Sequence, residues 1–232
     1  VPAGNLTINP TLMPNFPFNI ERDFVPVTML AKAPNVLVAS AQVKLGSVRE
    51  LIAQARAKPG TLSYASPGIG SGLHLAGELF KQQTDTDLLH VPYKGTGPAL
   101  NDVLGGTVPL MFSNLPATLP HIKSGKLVAL GLTDTVRSPV TPDIPTLAEQ
   151  GVSGVVVTSW YGLLAPAGTP PAVAEQLAKD AADILGQPAV LEQLRAQGLS
   201  DATQKPAEFA AHIKAETQTW ARIIKARGIV AE

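Results

Sequence analysis

No cysteine occurs anywhere in the 232 residues. That excludes disulfides, thiolate zinc sites and cysteine nucleophiles together. It leaves the compartment open, although it suits an oxidising one. Net charge is missing too: Lys+Arg and Asp+Glu number 18 each, and only 16% of residues are charged. A neutral chain without a Lys/Arg cluster has no field to hold nucleic acid or an anionic membrane. Aromatics make up 5%, too sparse for a base-stacking platform. No apolar run approaches the ~20 residues that span a bilayer, so no membrane insertion is expected. The first residue is Val1, not Met; this reads as a start inside a longer protein or as processing, and no signal peptide is visible.

What remains is apolar. Hydrophobic residues are 45% of the chain, ample for a packed core. The length suits one large domain or two small lobes. Residues 1–24 are Pro- and Asn-rich and read as irregular or as a short helix start. Val25–Leu30 and Asn35–Ser40 are short β-type runs with Pro34 between them. Ser47-Val-Arg-Glu50 is a capping box, with Leu51, Ile52 and Ala55 on one helical face.

From there strands and helices alternate: strands at 62–66, 88–93, 108–113 and 127–132, helices at 72–83, 98–104 and 115–124. This is the pattern of a parallel sheet covered on both faces. Beyond a Pro-rich stretch at 133–153, residues 155–157 and 161–165 are strand-like. Thr169 then caps a helix begun by Pro170, with Val173, Leu177, Ala181 and Ile184 as its apolar stripe. A short helix over 189–197 follows. The last helix starts near Pro206, with Phe209, Ile213, Trp220 and Ile224 as core anchors. The series over 44–153 makes one lobe. The flanks, 1–43 and 154–232, hold too little sheet to stand alone and join into a second lobe. The chain then crosses twice, near Ser40 and near Thr158, and a ligand belongs between the lobes at the carboxyl ends of strands.

The most informative segment is Tyr64-Ala-Ser-Pro-Gly-Ile-Gly-Ser-Gly-Leu-His74. A strand ends at Ser66, a Gly-rich turn follows, and a helix begins after Ser71. Its unpaired first amides, with the Ser66 and Ser71 hydroxyls, suit a carboxylate or phosphate. The same residues suit a plain strand-to-helix turn with Ser71 as cap, and the segment alone leaves both open. Leu73 stands where a dinucleotide GxGxxG needs glycine, and Ile69 and Leu73 spoil a GxSxG elbow. Val91-Pro-Tyr-Lys-Gly-Thr-Gly97 is a second strand end, offering Tyr93, Lys94 and Gly95 to an anion or simply a surface lysine beside a turn. Phe112-Ser-Asn114 is a third, with a helix cap as its alternative reading. No histidine has metal spacing. His74 lies beside the anion loop, His90 reads as a core residue, and His121 and His212 as solvated helix faces. Neither metal nor cofactor is expected.

The order YASPGIGSGLHLAGELF, HVPYKGTGPALNDVLGG, MFSNLPATLPHIKSGK and SWYGLLAPAGTPPAV strongly resembles the solute receptors of tripartite tricarboxylate transporters, the Bug or TctC-like family. The likeness runs from about Pro10 to the last helix. It implies an α/β, two-lobed periplasmic-binding-protein fold of Venus-flytrap type with parallel-type sheets. It implies periplasmic capture of a small organic carboxylate and delivery to a tripartite-type membrane permease, without catalysis. By this resemblance Ser66, Gly68, Ile69, Gly70, Ser71 and His74 form the second-lobe ligand loop. Asn5, Leu6 and Thr7, in VPAGNLTINP, are first-lobe candidates, and Tyr93, Lys94, Gly95 and Asn114 face the cleft.

Family members also begin with a βαβα segment carrying the other half of a carboxylate clamp. At ~30 residues per βα unit, about 60 residues have no counterpart here. The first lobe is then expected to be incomplete at its N-terminus, with the apolar faces of 25–30 and 155–165 partly uncovered. Two rivals keep the scaffold and change the role: a ligand sensor for a signalling partner such as a histidine kinase, and a hydrolase using Ser71 with His74.

Overall fold

The computed structural model describes residues 4–230. Residues 1–3 of VPAGNLTINP lie outside the described residues. The chain forms two compact units, one from residues up to Lys32 together with those from Ser159 onward, the other continuous over Ala33–Thr158.

In the continuous unit, β2 (Asn35–Ser40), β3 (Leu62–Ser66), β4 (Leu88–Pro92), β5 (Leu110–Asn114) and β6 (Leu127–Leu132) form one sheet of order β4-β3-β5-β2-β6. β3 runs parallel to β4 and to β5. The sheet is not all parallel: β2 runs antiparallel to both β5 and β6. The reason is topological. The chain enters this unit at the carboxyl edge of the sheet, where Asn35 pairs with Asn114, so β2 must run back against β5. All six residues of β2 are buried, as a strand with neighbours on both sides requires. This also corrects the expected division of the chain. Residues 33–43 and 154–158 belong to the continuous unit, and the first crossing falls at Lys32–Ala33 rather than near Ser40.

The helices of this unit are α3 (Val48–Ala57), α4 (Gly72–Thr84), α5 (Thr96–Leu104) and α6 (Leu115–Lys123). The Ser47 hydroxyl caps α3 by accepting from the Glu50 amide at 3.2 Å. Glu50 reaches back to the Gly46 amide at 2.8 Å, one residue before the Ser47 amide that a capping box would use. Strand alternation sorts the two faces of the sheet. Tyr64 and Phe112 face α4: their rings meet edge to face, Phe80 lies against Phe112, and a Cβ at Gly77 would run into the Tyr64 ring. Ala65, Met111, Val36 and Val38 face the other way and pack with Ala99 and Val103 of α5 and Leu115 and Leu119 of α6. Residues 155–157 form no strand. Val157 is tied instead by its amide to the Thr133 carbonyl (2.8 Å), and its carbonyl accepts from Asn35 Nδ2 (2.9 Å) and Thr133 Oγ1 (2.6 Å).

The split unit holds α1 (Gly4–Leu12), α2 (Ile20–Asp23), β1 (Phe24–Ala33), β7 (Ser159–Pro166), α7 (Pro171–Leu185), α8 (Pro188–Ala196), β8 (Ser200–Asp201) and α9 (Pro206–Arg227). Its sheet has the order β7-β1-β8, with β8 antiparallel to β1. Phe209 and Ile213 of α9 pack with Leu6, Ile20, Met29 and Trp160. Thr169 does not cap α7. Its hydroxyl donates to the Pro166 carbonyl at 2.8 Å, and Pro170 occupies the cap position without a side-chain bond. The expected stripe of α7 faces outward: Val173, Leu177 and Ile184 are 46%, 39% and 55% exposed. Ala174 and Ala178, one residue further round, are buried against Val27 and Ala165, because small side chains let the helix approach the sheet closely. The apolar faces expected to be partly uncovered divide: Val156 and Leu163 are exposed, while Val27 and Met29 are fully buried.

Candidate functional site

Adjacent parallel strands whose helices leave toward opposite faces open a crevice at their carboxyl ends. β3 and β5 are such a pair. The chain after β3 turns into α4, on the Tyr64–Phe112 face. The chain after β5 turns into α6, on the Ala65–Met111 face. Ser66, the turn over 67–71, Ser113 and Asn114 therefore share one edge of the sheet. Tyr93–Gly95 joins them, since the Tyr93 amide donates to the Ser66 carbonyl (3.0 Å) and the Gly95 amide to the Pro67 carbonyl (2.9 Å).

The turn is held by its own carbonyls and hydroxyls. Gly68 has φ +144° and Gly70 φ +75°, conformations that glycine adopts without strain. A Cβ at Gly68 would come within 3.0 Å of the Tyr93 carbonyl oxygen, so the close approach of the two loops itself needs glycine. Ser71 is the N-cap of α4: its hydroxyl accepts from the His74 amide (3.1 Å) and donates to the Gly68 carbonyl (2.7 Å). The Ser66 hydroxyl is fully buried. It accepts from the Gly68 amide (3.2 Å), lies 3.3 Å from the Gly68 carbonyl and 2.7 Å from His90 Nε2. Both hydroxyls thus make bonds that shape the loop. What the loop presents is backbone. The Gly72 and Leu73 amides precede the first helical bond, from the Leu75 amide to the Ser71 carbonyl, and form the positive end of α4.

His90 is the member of this cluster that the sequence did not single out. Its ring stacks on Tyr64 (centroids 4.9 Å) and on His74 (4.3 Å). Burial, then the neighbouring His74, hold its imidazole well below the ordinary range, at about 4. Gly70 donates its amide to His74 Nδ1 at 3.4 Å, and the Tyr64 hydroxyl donates to Glu78 at 2.8 Å. Of the Ser71–His74 pair that the rival hydrolase reading uses, the serine hydroxyl accepts from the backbone amide of His74, and the ring nitrogen Nδ1 accepts from the Gly70 amide.

The remaining candidates separate. The Tyr93 hydroxyl donates to Asp102 at 2.5 Å. Burial first, and that bond second, push its phenol up to about 12. Lys94 is exposed, and Gly95 (φ +116°) is the N-cap of α5. Asn114 precedes α6 without capping it; its Nδ2 donates to Asn35 Oδ1 at 2.8 Å. Ser113 Oγ is fully buried with no hydrogen-bond partner. Asn5, Leu6 and Thr7 lie in α1, in the split unit, where Leu6 is a core residue. His121 stands on α6 away from these contacts and is partly buried. His212 is no solvated face: its Nε2 is buried without a partner, and its ring meets Trp160 edge to face at 5.6 Å. Among the described residues no group of three or more His, Cys, Asp or Glu is arranged to hold a metal ion.

Known proteins resemble this chain along nearly its whole length. A family model described as "Tripartite tricarboxylate transporter family receptor" matches residues 2–229. Protein BugT from Bordetella pertussis is 39% identical over 226 residues, which are 97% of this chain and 69% of that protein. A solved periplasmic transporter superposes with a TM-score of 0.94 at 36% identity, covering 99% of this chain and 77% of its own. A protein from R. palustris solved with adipate superposes with a TM-score of 0.94 at 34% identity, covering 98% and 76%. The chain spans about two thirds of the length of the curated relatives it matches.

Proposed function

The chain belongs to the tripartite tricarboxylate transporter receptor family, and from that premise we propose that it captures a small organic carboxylate and hands it to a membrane permease of the tripartite type. The location that fits is the periplasm. No helix among the described residues is long and apolar enough to cross a membrane.

One observation carries the reading. The Gly68–Ser71 turn opens onto the N-terminal amides of α4 at the place where the β3 and β5 connections part. A carboxylate there meets amides rather than competing carboxylates, and each charge-assisted contact is worth about 1.5–3 kcal/mol when buried. The relative solved with adipate supports a carboxylate of this size. Ser71, Gly68 and Gly70 shape the turn, Ile69, Gly72 and Leu73 line it, and Ser66 and His74 support it from beneath. Tyr93 and Gly95 brace it from the β4 side, Lys94 supplies a nearby cation, and Asn114 marks the β5 side of the crevice.

Titration calorimetry against succinate, adipate, citrate, benzoate and glutamate tests this. Saturable binding of at least one acid is expected, weakened about tenfold or more by Gly68→Ala, whose left-handed backbone and contact with Tyr93 the alanine disturbs. No saturable heat with any of the five, or a Gly68→Ala variant that binds unchanged, sinks the reading.

A further inference from the structure

We infer that Asn35 is a positioning residue of the carboxylate site: from beneath the β5 edge, its amide fixes the direction in which Asn114 meets a ligand. The inference rests on the anion-site reading above and adds a residue to that same site.

Asn114 stands at the end of β5, partly exposed, on the edge of the sheet that carries Ser66 and the turn over 67–71. Its side chain does not cap α6. Its Nδ2 donates instead to Asn35 Oδ1 at 2.8 Å. Asn35 is its partner across the β2–β5 ladder. Being fully buried, Asn35 acts on a ligand only through Asn114.

Hydrogen-bond polarity leaves the pair one arrangement. The other end of the Asn35 amide faces the Val157 carbonyl, with Nδ2 at 2.9 Å. A carbonyl only accepts, so Nδ2 must lie there and Oδ1 must face Asn114. An amide oxygen also only accepts, so Asn114 must present its Nδ2. Turning Asn35 over would set oxygen against the Val157 carbonyl. Turning Asn114 over would set oxygen against oxygen. The direction of the Asn114 amide is thus dictated by a backbone carbonyl distant in sequence.

That template is itself anchored. The Asn35 carbonyl accepts from the Thr133 amide at 2.9 Å, and the Pro34 carbonyl beside it accepts from the Leu115 amide at 2.9 Å. The Val157 carbonyl is held a second time, by Thr133 Oγ1 at 2.6 Å. Backbone bonds therefore clamp both ends of the Asn35–Asn114 bond. What Asn35 lends its neighbour is an orientation settled before the ligand arrives, which spares binding that ordering cost. Asparagine is what the place needs. Aspartate would set an oxygen against the Val157 carbonyl, and alanine would remove the hold on Asn114.

The test is titration calorimetry with succinate, adipate, citrate and benzoate on wild type, Asn35→Ala, Asn114→Ala, the double variant and Thr133→Val. Thr133→Val removes one of the two bonds on the same carbonyl but keeps the Asn35–Asn114 bond, so it reports loosening alone. In Asn35→Ala the Thr133 hydroxyl still holds the Val157 carbonyl, and urea midpoints check that the variants fold. Asn35→Ala and Asn114→Ala are each expected to bind the tightest probe about fivefold more weakly or worse. The double variant should fall no more than about twofold below the weaker single one, and Thr133→Val should stay within about twofold of wild type. Independent roles would multiply instead, to about 25-fold. A multiplied loss, an unchanged affinity in either single variant, or a loss in Thr133→Val equal to that in Asn35→Ala overturns the inference while acid binding stands. Should Asn35→Ala not fold, the unaltered protein decides. The side-chain amide resonances of Asn35 and Asn114 must both move when saturating probe is added, and either pair unmoved overturns the inference. Binding of none of the four acids to wild type overturns the anion-site reading and this inference with it.

Discussion

Ser66 and Ser71 show how much a small side chain can organise. Between them they donate to or accept from Gly68, His74 and His90, and the positive end of α4 is left clear. Protonation has a stability consequence at this scale. Burial is the largest influence lowering both His90, to about 4, and His212. In the unfolded chain each titrates near ~6.5. Between that value and about 4 the unfolded state binds more protons than the folded one. The contribution of these two histidines to stability is therefore constant above ~6.5 and falls as pH drops through that window. Asp23 and Glu149, whose carboxyls are lowered first by their arginine partners, lose their contributions only below the ordinary carboxylate range. Urea midpoints at pH 7.5, 6.0 and 5.0 check this: they should decline with acid, and less steeply in His90→Gln.

At the scale of elements, α7 and α9 make a contrast. Both carry apolar residues at helical spacing, yet Ile213 of α9 is 2% exposed and Leu177 of α7 is 39% exposed. Ile213→Ala is expected to cost about 2–5 kcal/mol. Leu177→Ser should change stability by less than ~0.5 kcal/mol. Chemical denaturation of both variants reads the difference, and a large loss from Leu177→Ser would show that the stripe is packed after all. The same pair shows where the sequence was legible. Spacing reveals that a face exists, and in α9 large residues leave only one choice. In α7 the alanines at 174 and 178 win the core because they fit close to Val27 and Ala165, and a hydrophobicity pattern reads alanine as neutral. Two caps were legible, Ser47 and Ser71 sitting where their sequences place them, while Thr169 bonds the Pro166 carbonyl instead of capping α7. The antiparallel course of β2 was not, since Asn35 meets Asn114 from 79 residues away. Nor was the Ser66–His90 bond, because the register of β3 on β4 leaves no mark in either segment.

At the scale of the whole molecule, a formal charge of zero means that any attraction for acids must be local, from helix ends and from the few groups around the turn. The division of the chain matters as much. The continuous unit, 33–158, has its own sheet and core, and its two ends are fastened together by Asn35 and Thr133 on the Val157 carbonyl. Expressed alone, residues 33–158 should fold cooperatively, seen as dispersed amide resonances and a single urea transition; a collapsed spectrum would refute its independence. The two tied ends have a consequence for synthesis. As the chain leaves the ribosome, the inner unit is complete once Thr158 has emerged, while the opening residues wait. Their helix partner, α9, ends only at Arg227. Leu6, Ile20 and Met29 must therefore wait for Phe209 and Ile213 of α9 to be made before this core can close. That interval is when this protein is most exposed to aggregation and to chaperones that bind apolar segments.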